Sequence, residues 1–333
     1  MSDRRIVTAA ATDVGRRRSG NEDSFAVWSA ARAGGTHPAD HLLVVCDGMG
    51  GTVAGEVASR MAIEAVVRTF ESSAAADPGA ALSDAVHAAN DAIWDHAQER
   101  PDLKGMGTTC TAIAIRGEQV TIAHVGDSRA YLVRGREITQ LTQDHSLVAQ
   151  LVARHELTAE QAKHDSRRNV VTRSVGVGAE VDVDVVTLHE PLAPGDTLLV
   201  CSDGLHGPVD DDQLARAAAG GPLEQAAGEL IRLANERGGP DNITAVLARL
   251  ESSHADSWAP QEAPSRHRAA GRAAPAAAPV PQGGGRQKAL RMLIIALVAL
   301  LIALTGLTWV VFGMMRAAPD PEPRDNAGVA TWP

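Results

Sequence analysis

A chain of 333 residues with a formal charge of −10 can form one large domain or two small ones, and it lacks the basic excess of a nucleic-acid binder. Its three cysteines, Cys46, Cys110 and Cys201, cannot pair completely and match no zinc spacing, so buried free thiols in a reducing compartment are expected. The opening MSDRRIVTAA lacks the apolar core of a secretory leader.

Short apolar runs predict strands at 5–11, 24–29 and 41–46, followed by helices at 54–72 and 79–98. In the first helix, Val57, Met61, Ala65 and Val66 form the predicted buried face. Strands are predicted again at 109–115, 118–124 and 129–134, with RGEQ and VRGRE as hairpin turns. Helices at 146–155 and 158–164, strands at 183–188 and 196–202, helices at 210–219 and 223–237 and a strand at 242–249 complete a domain over 1–250. Strands cluster instead of alternating with helices, and their joints are tight. That grammar predicts an α+β fold with antiparallel sheets.

Texture changes at 251–291, where Pro, Ala, Gly and Arg dominate and too little apolar bulk remains to pack. Residues 292–315, MLIIALVALLIALTGLTWVVFGMM, carry no charge. At ~1.5 Å per residue such a helix reaches roughly 36 Å, enough to cross a bilayer. Arg266, Arg268, Arg272, Arg286, Lys288 and Arg291 precede it, and the tail 316–333 is mildly acidic. The positive-inside rule then predicts a cytoplasmic N-terminal domain and an external tail, and the basic run could also touch anionic lipid.

Two stretches, LLVVCDGMGG (42–51) and LLVCSDGLHG (198–207), each run a buried strand into Asp47 or Asp203 and then glycine. Asp241, in GGPDNIT, stands just before a strand instead. Burying an unpaired carboxylate costs several kcal/mol, roughly. No basic residue adjoins any of the three. Convergence on a cation satisfies them together, and a carboxylate-only set favours Mg²⁺ or Mn²⁺ over Zn²⁺. Asp-Gly as plain turn chemistry is the alternative.

These segments, with TDVGRRRSGNEDS (12–24), MGTTCTAI (106–113), HVGDSRAYLVRG (124–135) and LTQDHSLV (141–148), resemble the 2C-type, metal-dependent serine/threonine protein phosphatases, especially bacterial membrane-anchored members. The resemblance covers nearly all of 5–250. It implies a four-layer α-β-β-α sandwich of two antiparallel sheets, with the transmembrane helix added after it. It also implies site roles. Asp47 would bridge two Mn²⁺ or Mg²⁺ ions, with the Gly48 carbonyl on the second, and Asp203 and Asp241 would complete the first. Glu22 and Asp23 would hold metal-bound water. Asp127 would serve a weaker third ion, or mark a hairpin turn between 118–124 and 129–134. Arg18 falls at the phosphate-binding arginine, with Arg16 and Arg17 a solvated basic loop.

The implied reaction is direct attack of a metal-activated water on phosphoserine or phosphothreonine proteins, with receptor-like kinases and their substrates as partners. Met49 departs from many eukaryotic members of the family, which carry histidine there as a candidate general acid. His206 could substitute or be structural, with metal-bound water the favoured proton source. Segment 145–172 matches the family's variable flap, where Arg167 and Arg168 either steer phosphopeptides or are solvated. A catalytically dead phospho-binding module, or a phosphatase of small phosphometabolites, are the competing readings.

Overall fold

The computed structural model describes residues 4–33, 37–51 and 53–252. The span expected at 292–315 lies outside them, and no helix among the described residues is long and apolar enough to cross a membrane. In chain order the elements are β1 (Arg4–Asp13), β2 (Asp23–Ser29), α1 (Ala30–Ala33), β3 (His41–Met49), α2 (Ala54–Glu71) and α3 (Pro78–Glu99). After a 3₁₀ turn at Pro101–Leu103 come β4 (Gly107–Thr108), β5 (Cys110–Arg116), β6 (Gln119–Val125), β7 (Arg129–Arg134) and β8 (Glu137–Gln140). The remainder is α4 (Leu147–Ala153), α5 (Ala159–His164), β9 (Asp184–Thr187), β10 (Thr197–Cys201), α6 (Asp203–His206), α7 (Asp211–Ala219), α8 (Leu223–Glu236) and β11 (Ile243–Ser252).

One sheet runs β1-β11-β10-β7-β8 and the other β2-β3-β5-β6-β9, with β4 extending the end of β3. Every described pairing is antiparallel. The two-residue period of a strand assigns the layers. In β3, Leu42, Val44 and Cys46 turn toward α2 and α3, where they meet Ala58, Ala62, Val66, Leu82 and Ala85. Leu43 and Val45 turn the other way and meet Leu198, Val200 and Val246 of the opposite sheet. Likewise Leu199 and Cys201 of β10 pack with Leu214 of α7 and Leu230 of α8. The result is α-β-β-α, with each fully buried aliphatic side chain contributing about 1.5–3 kcal/mol.

Local chemistry sets the helix starts. Asp77 caps α3 by accepting from Ala80 N at 3.0 Å, with Pro78 in the first turn where its missing N–H costs nothing. Thr158 and Gln161 close a capping box on α5. In α2 the second half of the predicted face, Ala65 and Val66, is buried, and the first half is displaced by one residue. Ala58, Ala62, Ala65 and Val66 are buried, whereas Val57 and Met61 only flank the core. Small side chains take the centre because α2 lies close to the sheet.

Three further expectations are corrected. β3 does not end at Cys46 but continues through Asp47 to Met49, because β4 pairs with Gly48 and Met49 and prolongs the ladder. Residues 126–128 are not a hairpin turn. β6 and β7 belong to different sheets, and the segment carries the chain across the sandwich. The strand expected at 109–115 starts one residue later, at Cys110, because Thr109 separates it from the two-residue β4. The turns at 116–119 and 133–137 do close hairpins, with Arg116 opposite Gln119 and Arg134 opposite Glu137.

Candidate active site

Strand parity explains why buried strands run into acids. Asp47 continues the inter-sheet face begun by Leu43 and Val45, and Asp23 begins the matching face of β2 ahead of Phe25 and Val27. The β2–β3 register sets Asp23 directly opposite Asp47. The backbone of Asp47 is clamped: its N–H donates to Thr109 Oγ1 at 2.9 Å. Its carbonyl accepts from Thr109 N and Thr108 Oγ1, both at 2.9 Å. Gly48 is required beside it, since a Cβ there would overlap the Gly55 carbonyl of α2.

The opposite sheet supplies the other half. Ser202 follows β10, Asp203 opens α6, and Asp241 precedes β11. Asp23 Oδ2 accepts from Ser202 Oγ and Thr244 Oγ1, each at 2.7 Å, and so joins the two sheets. Gly204 packs against the Asn242 carbonyl so closely that no Cβ fits between them. Gly204→Ala is expected to cost about 1–3 kcal/mol through overpacking. Thermal unfolding checks it, and an unchanged melting temperature would mean that the contact relaxes freely.

Electrostatics mark the centre as overloaded with carboxylates. Burial, then Asp23, Asp203, Asp127 and Asp241, pushes the Asp47 carboxyl well above its usual range. Burial also lifts Asp23 to about 7 against the pull of its two hydroxyl donors, with Asp203 and Asp241 adding to the rise. Asp127 rises to about 7 through burial and then Asp203, and Asp203 to about 6 through burial and then Asp241. Glu22, 5% exposed, is raised chiefly by burial, and Arg18 opposes that rise.

Among the described residues no group of three or more His, Cys, Asp or Glu is gathered tightly enough to hold an ion as it stands. Arg18 lies against two of the acids instead: its Nη2 donates to Asp241 Oδ2 at 2.7 Å and its Nη1 lies 3.9 Å from Glu22 Oε1. An opposite charge beside crowded carboxylates reduces their mutual repulsion. Buried Oδ1 atoms of Asp23 and Asp203 nonetheless have no partner. Unpartnered carboxylate oxygens in an all-oxygen set fit a hard divalent cation. Asp47, Asp203 and Asp241, with the Gly48 carbonyl, would be the groups to hold it.

His206 is not a proton donor to a leaving group. Its Nε2–H donates to the Asp127 carbonyl at 3.0 Å, and burial followed by the nearby Arg129 charge lowers its pKa to about 3. Arg129 is in turn held by Asp144 at 2.7 and 2.8 Å. In the flap, Arg167 pairs with Asp165 two residues away, at 2.8 and 2.9 Å. Arg16, Arg17 and Arg18 are all exposed, and of the three only Arg18 has an acidic partner among the described residues.

Sequence reasoning missed the groups that hold the acids: Thr108, Thr109, Ser202, Thr244 and Asn242. Short hydroxyl and amide side chains beside each acid were the available signal. Their partners lie from 61 to 221 residues away, which no local pattern reveals.

Two antiparallel sheets packed face to face under helices, with acids from both meeting at one end, define the metal-dependent phosphatase architecture. The family model for Protein phosphatase 2C matches residues 16–248. The chain is 42% identical over 240 residues to the serine/threonine protein phosphatase PstP of Mycobacterium tuberculosis, a match covering 72% of this chain but only 44% of PstP. It is 37% identical over 245 residues to the serine/threonine phosphatase stp of Listeria monocytogenes, covering 72% of this chain and 94% of that one. Among solved structures, the PstP catalytic domain in complex with two manganese ions superposes with a TM-score of 0.64 at 38% identity, over 75% of this chain and all of that one. The S. agalactiae serine/threonine phosphatase gives 0.68 at 35%, over 74% and 100%. This chain belongs to the protein phosphatase 2C family.

Proposed function

We propose that the domain hydrolyses phosphoserine and phosphothreonine on proteins, using Mn²⁺ or Mg²⁺ held by Asp47, the Gly48 carbonyl, Asp203 and Asp241. Glu22 and Asp23 would order water around the ions, and Asp127 would serve a weaker third site. The observation that carries this reading is the meeting of six acids from both sheets around unpartnered carboxylate oxygens, with Arg18 at the rim. When bound, hard divalent cations supply the Lewis acidity that makes water a nucleophile near neutral pH.

The chain's own residues do the rest. The threonine clamp fixes Asp47, the hydroxyls of Ser202 and Thr244 fix Asp23, and Arg18, half exposed beside Asp241, is the cation available to bind equatorial phosphate oxygens. No cysteine nucleophile is required, and Cys46, Cys110 and Cys201 are all buried free thiols.

The proposal extends to placement. The charge-free stretch 292–315 behind a basic flank supports single-pass anchoring with the domain in the cytoplasm, where receptor-like serine/threonine kinases and their substrates would be its partners. The purified protein is expected to release phosphate from a phosphothreonine peptide with Mn²⁺ and to stop when chelator is added. Turnover indifferent to chelator would end the metal reading.

A further inference from the structure

Resting on the reading of Arg18 as the phosphate-binding group, we infer that Asn242 is the positioning residue that sets where Arg18 stands. Arg18 lies in the loop joining β1 to β2, and residues 16–19 are all exposed. Such a loop holds a long side chain at a fixed place only if its feet are tied, because an arginine brings about 2 kcal/mol of rotamer entropy of its own.

Asn242 ties both feet with one amide. Its Nδ2 donates to the carbonyls of Val14 and Gly20, each at 2.9 Å, and its Oδ1 accepts from Glu22 N at 2.8 Å. All three bonds use the full geometry of a planar amide, and the residue is 3% exposed. Its own backbone N–H donates to Asp241 Oδ1 at 2.8 Å, and Asp241 Oδ2 is the oxygen that pairs with Arg18. One residue therefore fixes the loop that carries the arginine and the carboxylate against which that arginine rests.

The other ties to the 14–22 loop each hold a single point, as Gly15 N does on Asp13 Oδ1 at 2.8 Å and the Glu22 carbonyl on Gly48 N at 3.1 Å. Arg16 N donates to the Gly239 carbonyl at 2.8 Å, and Asn21 Nδ2 reaches Thr12 Oγ1 at 2.9 Å. Neither touches both feet. Asn90 offers a comparison inside the same molecule. Buried on α3, it accepts from Gly176 N at 2.8 Å and donates to Gly178 O at 3.1 Å, a clasp of the same kind on a loop that does not carry Arg18.

The test is a double-mutant cycle on the full chain with a phosphothreonine peptide and Mn²⁺. Asn242→Ala is expected to raise KM about tenfold with kcat little changed, because it loosens phosphate binding. In an Arg18→Ala background the same substitution should move KM by less than about twofold, since its effect passes through the arginine. The Mn²⁺ concentration for half-activation should stay put, and Asn90→Ala should lower the melting temperature without raising KM. Asn242→Asp keeps the acceptor for Glu22 N and the shape of the side chain while losing the donor, so it repeats the comparison if the alanine variant does not fold.

Additive effects of Asn242 and Arg18, a matching loss of Mn²⁺ activation, or failure of both Asn242 variants to fold would each overturn the assignment. Calorimetric binding of inorganic phosphate, with and without Mn²⁺, repeats the cycle without turnover. A chain inactive toward the peptide would count against the phosphatase reading, while the phosphate cycle would still decide whether Asn242 acts through Arg18.

Discussion

Asp47→Asn is expected to cut phosphatase turnover by at least about a thousandfold and, in chelator, to make the protein more stable. The first half follows from position: Asp47 is the acid in β3 that faces Asp23 across the strand pair, with Asp203, Asp127 and Asp241 near enough to raise its carboxyl further. The second half follows from charge. Burial and four acidic neighbours hold its carboxyl well above the usual range, so ionising it in the folded state works against folding. An isosteric amide keeps the shape and removes the charge. A gain of about 1–2 kcal/mol, or ~2–8 °C for a domain of this size, is expected at pH 7.5. Thermal unfolding in chelator, alongside single-turnover kinetics with Mn²⁺, reads both halves. A less stable amide variant would show that the acids do not repel one another.

Without metal, stability should fall as pH rises from about 6.5 to 8. The sign is set by two opposing groups. Asp203 at about 6 and Asp23 and Asp127 at about 7 hold protons in the folded state that they release near 3.8 when unfolded. Their contribution is therefore full at low pH and is lost as pH passes 6 to 7. Burial depresses His206 to about 3 and His124 to about 4, and it also lowers His145 and His41. These rings must charge when the chain unfolds in acid, so they add stability with rising pH up to about 6.5 and then stop. Below 6.5 the two trends oppose each other; above it only the acids still titrate.

Mn²⁺ at pH 7.5 should reverse the loss, by about 2.7 kcal/mol at a hundredfold excess over its dissociation constant. The slope in chelator should be shallower for Asp47→Asn. A melting temperature that stays flat or climbs between pH 6.5 and 8 would mean that the acids ionise without mutual cost.

The central strands were legible as continuous apolar runs, and the sandwich through the family resemblance. Leu42 to Cys46 and Leu198 to Cys201 read as buried on both faces, and the hairpin turns at 116–119 and 133–137 sit where Gly117 and Gly135 take positive φ. What stayed hidden was long-range. β8 is four residues with little apolar content, and it exists because β7 offers it an edge. The crossing at 126–128 looks like a turn in sequence, and only the sheet order shows that it changes sheets. The first half of α2 was read one residue out of phase because Val57 and Met61 outweigh alanines in any hydrophobic count, although close packing favours the smaller side chains.

Asp47 and Asp203 were legible because Asp-Gly after an apolar run is a local pattern, whereas Glu22, Asp23 and Asp127 took their roles only through the family resemblance. The partners that hold the acids were not legible. Asp23 is held by Ser202 and Thr244 from the other sheet, and Arg18 by Asp241, through contacts that form only after both sheets have packed.

β11, the last strand of the domain, lies between β1, the first, and β10, and Asp241 stands at its entrance. A growing polypeptide on the ribosome therefore carries an unfilled slot in one sheet, and an incomplete set of acids, until nearly the whole domain has been made. On the proposed reading, a copy truncated before β11 lacks both that strand and Asp241, and is expected to release no phosphate from the phosphothreonine peptide.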